Sequence, residues 1–272
     1  MKNIITKFIF LTILIIWNVY PQSGSPFQSV INSISSDIIK KHLEVLADDS
    51  LSGRAVGTYG AIRSAEYIAS QFSNFGLNKI SAQSTFFQDV PMHGSISLSS
   101  SKLIIISEKD TTNLSFAKDY FLYKSGQQNF FPAALSLVFV GYGIIAPEFD
   151  YNDYQSVDVE NKIVVYFDGE PESNDTDYFD AELPTIYSNQ ESKRRIALSR
   201  GAAGTILIPY NNYKNWDDIS REFWNEDVSL AYSVTGNLNI IIKPVIAEKL
   251  FLDSGFPFDE VIKMHKENRI KS

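Results

Sequence analysis

The chain contains no cysteine among its 272 residues. Disulfide bonds, catalysis by a thiolate, zinc sites built from cysteine and attachment of a lipid to a cysteine are therefore excluded. Stability has to come from burial of apolar side chains, and a hydrophobic content of 44% is enough for a core.

Basic residues are fewer than acidic residues. The chain has 24 lysines and arginines against 32 aspartates and glutamates, which gives a net charge of −8. An acidic chain of this kind is not expected to bind nucleic acid or an anionic membrane surface. The basic run of Lys193, Arg194 and Arg195 lies in a predicted helix, and we expect it to form a solvated face.

The N-terminal apolar run, residues 8–17, is shorter than the roughly 20 residues that a membrane-spanning helix needs. Lys2 and Lys7 precede it, and Asn18 and Pro21 end it, which is typical of a cleaved signal peptide. We therefore expect removal of residues 1–22 and an exported protein, periplasmic or extracellular, with no stable membrane association. An uncleaved anchor is the alternative.

Apolar spacing predicts two helices and one strand in the next segment. Ile39, Leu43 and Leu46 lie on one helical face, with Ser36 as the expected N-cap. A second helical face is followed by Gly76 as the stop, and its members are Ala61, Ala65, Ile68, Ala69 and Phe72. Residues 86–90 are predicted to form a strand, and a domain boundary is expected near Gly94.

The remainder of the chain alternates strands and helices. Short apolar, β-branched runs predict strands at residues 103–106, 137–140, 163–167, 205–208 and 238–242. Helices are predicted at residues 190–200, 247–253 and 258–266, and residues 211–227 are predicted to be a surface excursion.

An ordered series of short motifs resembles one family. The series is Leu51-Ser-Gly-Arg, Gly57-Thr-Tyr-Gly, Val138-Phe-Val-Gly-Tyr-Gly, Ala146-Pro-Glu, Tyr151-Asn-Asp-Tyr, Lys162-Ile-Val-Val, Gly169-Glu-Pro and Gly201-Ala-Ala-Gly-Thr-Ile-Leu-Ile. It is similar to secreted two-zinc aminopeptidases of the aminopeptidase Y and bacterial leucyl aminopeptidase type, with their inserted protease-associated domain. The resemblance spans residues 38–242. Asn161 departs from it, since the family has glycine before Lys-Ile-Val, and asparagine tolerates the left-handed turn.

The resemblance implies an α+β fold. Residues 94–272 would form a β-rich protease-associated domain, a sandwich or open barrel with peripheral helices, whose C-terminal end need not be complete. Residues 23–93 would supply two helices and one strand of an incomplete α/β peptidase fold. The family-motif positions expected to form the scaffold are Gly53, Gly57, Gly60, Gly141, Tyr142, Gly143, Asp153, Tyr154, Lys162, Gly169, Gly201 and Gly204.

The residues for zinc hydrolysis are missing from the sequence. The family binds two zinc ions through a His-x-Asp motif and takes its general base from a Glu-Glu pair, because a carboxylate must deprotonate the zinc-bound water. This chain has three histidines, His42, His93 and His265; none is followed by x-Asp, and Glu-Glu does not occur. We therefore assign no catalytic or metal-binding residue and predict an inactive chain, with zinc expected only in an intact family member.

Two functions are favoured over a third, an enzyme with an unrecognised mechanism. The first is the non-catalytic N-terminal portion of an exported zinc aminopeptidase, in which the protease-associated domain is a lid or selects substrates. Its partners would be peptides or a missing catalytic portion. The alternative is a stand-alone exported module that binds proteins or peptides. Sequence beyond codon 272 would distinguish them.

Several other residues have a structural and a functional interpretation. Arg54 is predicted to tie loop to helix, with contact to a substrate cleft as the alternative. His42 and His265 are expected to be structural. Tyr142, Tyr151 and Tyr154 are expected in core or rim, with a recognition patch as the alternative. Asn113 and Asn174 begin glycosylation sequons.

An acidic run could bind calcium but lacks the ordered Asp-x-Asp-x-Asp-Gly loop, so a solvated loop is expected. Its members are Asp168, Glu170, Glu172, Asp175, Asp177, Asp180 and Glu182.

Overall fold

The structure, a computed structural model, describes residues 26–79, 84–123, 130–172, 175, 177–179, 183–210, 215–223, 227–231 and 237–267. The chain divides into two compact units, Met1–Asp89 and Val90–Ser272.

The first unit is helical. It contains α1 (Pro26–Ser33), α2 (Ser36–Leu46) and α3 (Tyr59–Asn74), with a 3-10 segment at Asp49–Arg54. The N-cap of α2 is Ser35 and not Ser36, because the Ser35 hydroxyl accepts the Asp37 N–H at 3.2 Å.

The second predicted helix ends as expected. After α3 the chain turns at Gly76 with φ +71°. The Leu77 N–H then bonds back to the Phe72 carbonyl at 3.1 Å, a contact that satisfies a carbonyl left open at the helix end.

The strand predicted at residues 86–90 is wrong, because those residues form none. The chain instead enters β1 (Met92–Ser95), which pairs antiparallel with β10 (Asp227–Leu230). A strand needs a neighbour for its backbone hydrogen bonds, and β10 offers one to residues 92–95. The described part of the first unit therefore carries helices without the expected peptidase strand.

A five-stranded sheet organises the second unit. Its order is β4 (Tyr120–Leu122), β11 (Leu238–Ile242), β9 (Gly204–Ile208), β8 (Ile163–Phe167) and β5 (Leu137–Phe139). The four strands β5, β8, β9 and β11 are parallel and follow one another in chain order, and β4 is an antiparallel edge.

Two further pairs of short strands complete the described β structure. β2 (Leu103–Ile106) pairs with β3 (Thr111–Leu114), and β6 (Ile145–Ala146) pairs with β7 (Tyr151–Asn152). Leu103, Ile105 and Leu114 pack against the core cluster, so the β2–β3 hairpin covers part of one face of the sheet.

Helices cover both faces of the sheet, which explains why its central strands are apolar throughout. The helices of this unit are α4 (Gln190–Ser199), α5 (Trp216–Phe223), α6 (Pro244–Ala247) and α7 (Phe258–Lys266). Ala197 of α4 and Ile219 of α5 pack on one face with Val164 and Tyr166. Val261 of α7 packs on the other face with the alternate residues of β8.

The mixed helices and strands are consistent with the predicted α+β class, whereas the described strands form one larger sheet and not two comparable sheets packed as a sandwich. Parallel strands need long crossover connections, and α4 supplies one between β8 and β9. Such crossovers place helices on the faces where a sandwich would have a second sheet.

Gly204 shows why the sheet tolerates only glycine at one point. A Cβ atom there would lie 2.4 Å from the Leu238 carbonyl oxygen of β11 and 3.1 Å from Ile163 of β8. The strands approach so closely that any side chain would push β9 away from its neighbours.

Candidate functional site

Several motif residues of the second unit lie at one edge of the sheet, beside the carboxyl ends of β5 and β8. Gly141, Tyr142 and Gly143 come directly after β5, and Gly169 comes two residues after β8. Carboxyl ends of parallel strands meet at the same edge of a sheet, and this edge is the usual place for ligands in open α/β sheets. We treat it as the candidate site.

Asp153 is the centre of the hydrogen bonding there. Its Oδ2 accepts the N–H groups of Tyr142 at 3.1 Å and Ile144 at 2.9 Å, and its Oδ1 accepts the Tyr151 hydroxyl at 2.8 Å. Burial raises the pKa of Asp153 to about 6, against the lowering effect of these bonds and of Lys193. Asp153 therefore fixes the turn after β5 to the β6–β7 pair.

The side chain of Lys193, on α4, extends to the carboxyl end of β8. The side chain is fully buried, and its Nζ donates to the carbonyl oxygens of Phe167 at 3.1 Å and Gly169. The same Nζ lies 5.5 Å from the centre of the Tyr142 ring. Burial lowers the pKa of Lys193 to about 7, although Asp168, Asp153 and Glu170 oppose the shift.

The prediction that Lys193, Arg194 and Arg195 form a solvated face is wrong for the first two residues. Lys193 and Ala197 are four residues apart and share the buried face of α4. This spacing was the signal in the sequence that Lys193 would be buried. Arg194 is also buried and forms a two-bond pair with Glu191, at 3.0 and 2.7 Å. Arg195 alone is exposed as predicted.

His265 lies on α7, which packs on the face of the sheet opposite to α4. Its Nδ1 lies 2.7 Å from the Tyr142 hydroxyl. The imidazole ring also contacts the rings of Phe167 and Tyr210, each with centroids 5.3 Å apart. Burial lowers its pKa, while Glu172 raises it and Lys266 lowers it.

The acidic run is only partly solvated. Asp168 is buried, and Glu170 accepts hydrogen bonds from the Thr185 N–H at 2.6 Å and the Thr185 hydroxyl. Glu172, Asp175 and Asp177 are exposed as expected. Asp180, Glu182 and the second sequon residue, Asn174, lie outside the described residues.

The remaining scaffold positions of the second unit form turns and strand contacts. Lys162 donates to the Asp158 carboxylate at 2.9 Å just before β8, and the preceding Asn161 has φ +57°, which confirms the expected left-handed turn. Gly201 ends α4 with φ +88°. Tyr154 is buried in the core, with the Arg200 guanidinium 5.1 Å from its ring centre.

The scaffold positions of the first unit lie in or beside the 3-10 segment. Gly53, Arg54 and Gly57 are exposed, and the Arg54 guanidinium makes no hydrogen bond or ion pair with another described residue. Gly60 is buried in the first turn of α3, where a Cβ atom would overlap the Leu51 carbonyl oxygen at 1.8 Å. The close packing of the 3-10 segment on α3 thus depends on glycine.

The other histidines have structural surroundings. His42 Nδ1 lies 2.8 Å from the Tyr67 hydroxyl and links α2 to α3, and His93 is paired with Ser229 in the β1–β10 ribbon. Asn113 is exposed on β3. No group of three or more histidine, aspartate or glutamate side chains that could hold a metal occurs among the described residues, so a zinc pair does not fit them.

Among the described residues of the candidate site, two buried ionisable side chains bond the backbone. Asp153 accepts N–H groups after β5, and Lys193 donates to carbonyl oxygens at the end of β8. None of the helices in the described residues is long and apolar enough to cross a membrane.

Of three comparisons with known proteins, only the one with solved structures found a match. No family profile matches the chain, and no curated protein matches it. Among solved structures, the chain is similar to an aminopeptidase from Aneurinibacillus sp. strain AM-1, with 15% identity and a TM-score of 0.36. The match covers 80% of this chain but only 42% of that one, so the chain spans less than half the length of its structural neighbour.

Proposed function

We propose that this chain is the non-catalytic N-terminal portion of an exported zinc aminopeptidase, with residues 94–272 as its protease-associated domain. One observation carries the proposal. Motif residues 141–143, Asp153 and Gly169 lie beside the carboxyl ends of β5 and β8, where Asp153 accepts the N–H groups of residues 142 and 144. Lys162 and Gly204 lie at the amino ends of β8 and β9. The motif series therefore forms turns and strand contacts of the sheet.

The helical unit favours the same proposal. Among its described residues only Gly60 and Ser64 are buried, and apolar side chains on all three helices are exposed. Such faces need an apolar partner. In the proposed enzyme, that partner is the catalytic portion, and the protease-associated domain covers the cleft or selects peptides.

A stand-alone peptide-binding module is the second candidate, and one pocket favours it. An open pocket of about 1160 Å³ runs beside α7, and Tyr210, Phe251 and Phe258 contribute aromatic rings to its lining. Glu248 and Lys266 lie on its wall and could orient a peptide.

Two measurements test the proposal. Sequencing of the gene beyond codon 272 should reveal an open frame encoding His-x-Asp and Glu-Glu, whereas a stop codon followed by unrelated sequence would favour the stand-alone module. The purified 272-residue chain should release no amino acid from aminoacyl chromogenic substrates with added zinc. Turnover that a chelator abolishes would contradict the non-catalytic assignment.

A further inference from the structure

Helix α7 is attached to the carboxyl edge of the sheet through a histidine. His265 lies one residue before the end of the helix, and its Nδ1 and the Tyr142 hydroxyl share a hydrogen bond of 2.7 Å. The ring is packed against Tyr142, Phe167 and Tyr210, which come from the ends of three different strands. The imidazole is therefore the polar contact of α7 with these strand ends, beside apolar contacts such as that of Phe258 with Phe167, whose ring centroids are 6.5 Å apart.

The surroundings of this imidazole favour its neutral form. Phe167, Tyr142 and Tyr210 surround it with aromatic rings. The charged groups that act on the ring are Glu172, which follows β8 and favours protonation, and Lys266, its neighbour on α7, which opposes protonation. Burial among the rings is the largest effect, and burial disfavours a charged imidazole.

We propose that α7 is a pH-sensitive strap, which stays on the sheet while the His265 imidazole is neutral and detaches when that imidazole is protonated. Detachment would remove one cover from Tyr142 and Phe167. It would also remodel the pocket, because Phe258, Ile262 and Lys266 of α7 line it.

The sign of the effect follows from linkage. The pKa of His265 is lower in the attached state than its ordinary value of 6.5, so attachment is complete above pH 6.5 and weakens as the pH falls below it. Each pKa unit by which His265 differs between the attached and detached states corresponds to a tenfold change in the attachment equilibrium.

Neighbouring groups cannot produce the same loss. The pKa of Asp153 is raised to about 6, so its protonation on acidification favours the folded state. The pKa of Lys193 is lowered to about 7 from 10.5, so its contribution changes mainly above pH 7. Of these three groups, only His265 favours a loosening between pH 6.5 and pH 5.

The absence of cysteine makes a direct test possible. Val261 is buried on the inner face of α7, and Lys263 is exposed on the same helix. A single thiol is introduced by Val261→Cys in the full chain, and its labelling rate is divided by that of Lys263→Cys at each pH. We expect this ratio to rise at least several-fold from pH 8 to pH 5.

Two histidine variants decide the cause. In the Val261→Cys background, His265→Phe should abolish the rise. His42→Phe is the matched control, because His42 also bonds a tyrosine hydroxyl but lies in the other unit, and it should leave the rise intact. A ratio that does not change with pH, or that rises equally in His265→Phe, would overturn the proposal.

A second measurement covers the case in which His265→Phe does not fold. The imidazole Cε1–H resonance of His265, one of only three histidines, is titrated by NMR in the unmodified chain. We expect a midpoint below 6.5, accompanied by loss of protection at α7 amides. A midpoint at or above 6.5 would contradict a strap released by acid.

Discussion

At the scale of single residues, Lys193 and Asp153 show how two buried ionisable side chains of opposite sign hold the backbone at strand ends. Neither could be buried alone, because an unpaired charge in a protein interior is strongly unfavourable. Lys193 satisfies two carbonyl oxygens at the end of β8, and Asp153 satisfies two N–H groups after β5. Together they connect strand ends that carry no reactive chemistry.

The Lys193→Met variant tests this role. Methionine keeps the length of the side chain but leaves Asp153 and Asp168 without their buried cation, so we expect a loss of ~3–5 kcal/mol in the free energy of unfolding. Urea unfolding at pH 6, below the Lys193 pKa of about 7, measures it.

Arg195→Met is the matched control for that measurement. Arg195 lies on the same helix and pairs with Glu191, but its side chain is 73% exposed. Its replacement should cost ~1 kcal/mol or less. Equal losses in the two variants would show that Lys193 is not the buried partner described above.

At the scale of elements, the helices of the two units differ in what they pack against. Helices α4 and α7 place Ala197 and Val261 in the core of the sheet. The predicted faces of α2 and α3 are instead open, with Leu43 60% and Ile39 49% exposed. The apolar periodicity predicted the helices correctly, but in the described structure no core covers their apolar faces.

This difference predicts the order of proteolytic cleavage. Proteases cut segments that open locally, and a unit without a buried apolar core opens most easily. Limited proteolysis of the mature chain should remove material N-terminal to about residue 94 first. A resistant fragment that includes residues 137–208 should remain, as identified by mass spectrometry.

The opposite cleavage pattern would contradict the assignment. Early cuts within residues 137–208, with residues 38–76 protected, would place the stable unit in the helical half. An active-site-blocked protease preparation is the control, since it shows whether fragments arise before digestion.

At the scale of the whole molecule, the chain combines an N-terminal apolar run, a helical unit and a sheet unit. The run of residues 8–17 lies outside the described residues, so export stays a prediction from the sequence. The sheet unit has its own two-sided core, which is sufficient reason to expect it to fold by itself.

N-terminal sequencing of material recovered from the periplasm or medium tests export. The mature chain should begin between residues 22 and 27, the window in which small residues such as Ser23 and Gly24 permit cleavage. A soluble cytoplasmic protein that retains Met1 would contradict the prediction. Replacement of Leu11 by arginine, which interrupts the apolar run, should retain the chain in the cytoplasm.

Local patterns in the sequence determined α2, α3, α4, α7 and most central strands. The surface excursion predicted at residues 211–227 is wrong in part, because Trp216–Phe223 forms α5 and buries Ile219. Gly76 ends α3, Asn161 adopts the left-handed turn, and α7 spans the predicted residues, because backbone preference and apolar spacing act over a few positions. The lack of cysteine and the small number of histidines likewise follow from the sequence alone.

Only the tertiary structure decided the rest, because it depends on contacts between distant residues. β1 forms at residues 92–95 since β10, more than 130 positions later, supplies its hydrogen bonds. Lys193 is buried because α4 packs its side chain beneath Gly169 and Tyr142, and His265 reaches Tyr142 across 123 positions. Charge and periodicity in a short window cannot specify which distant backbone or ring a side chain will meet.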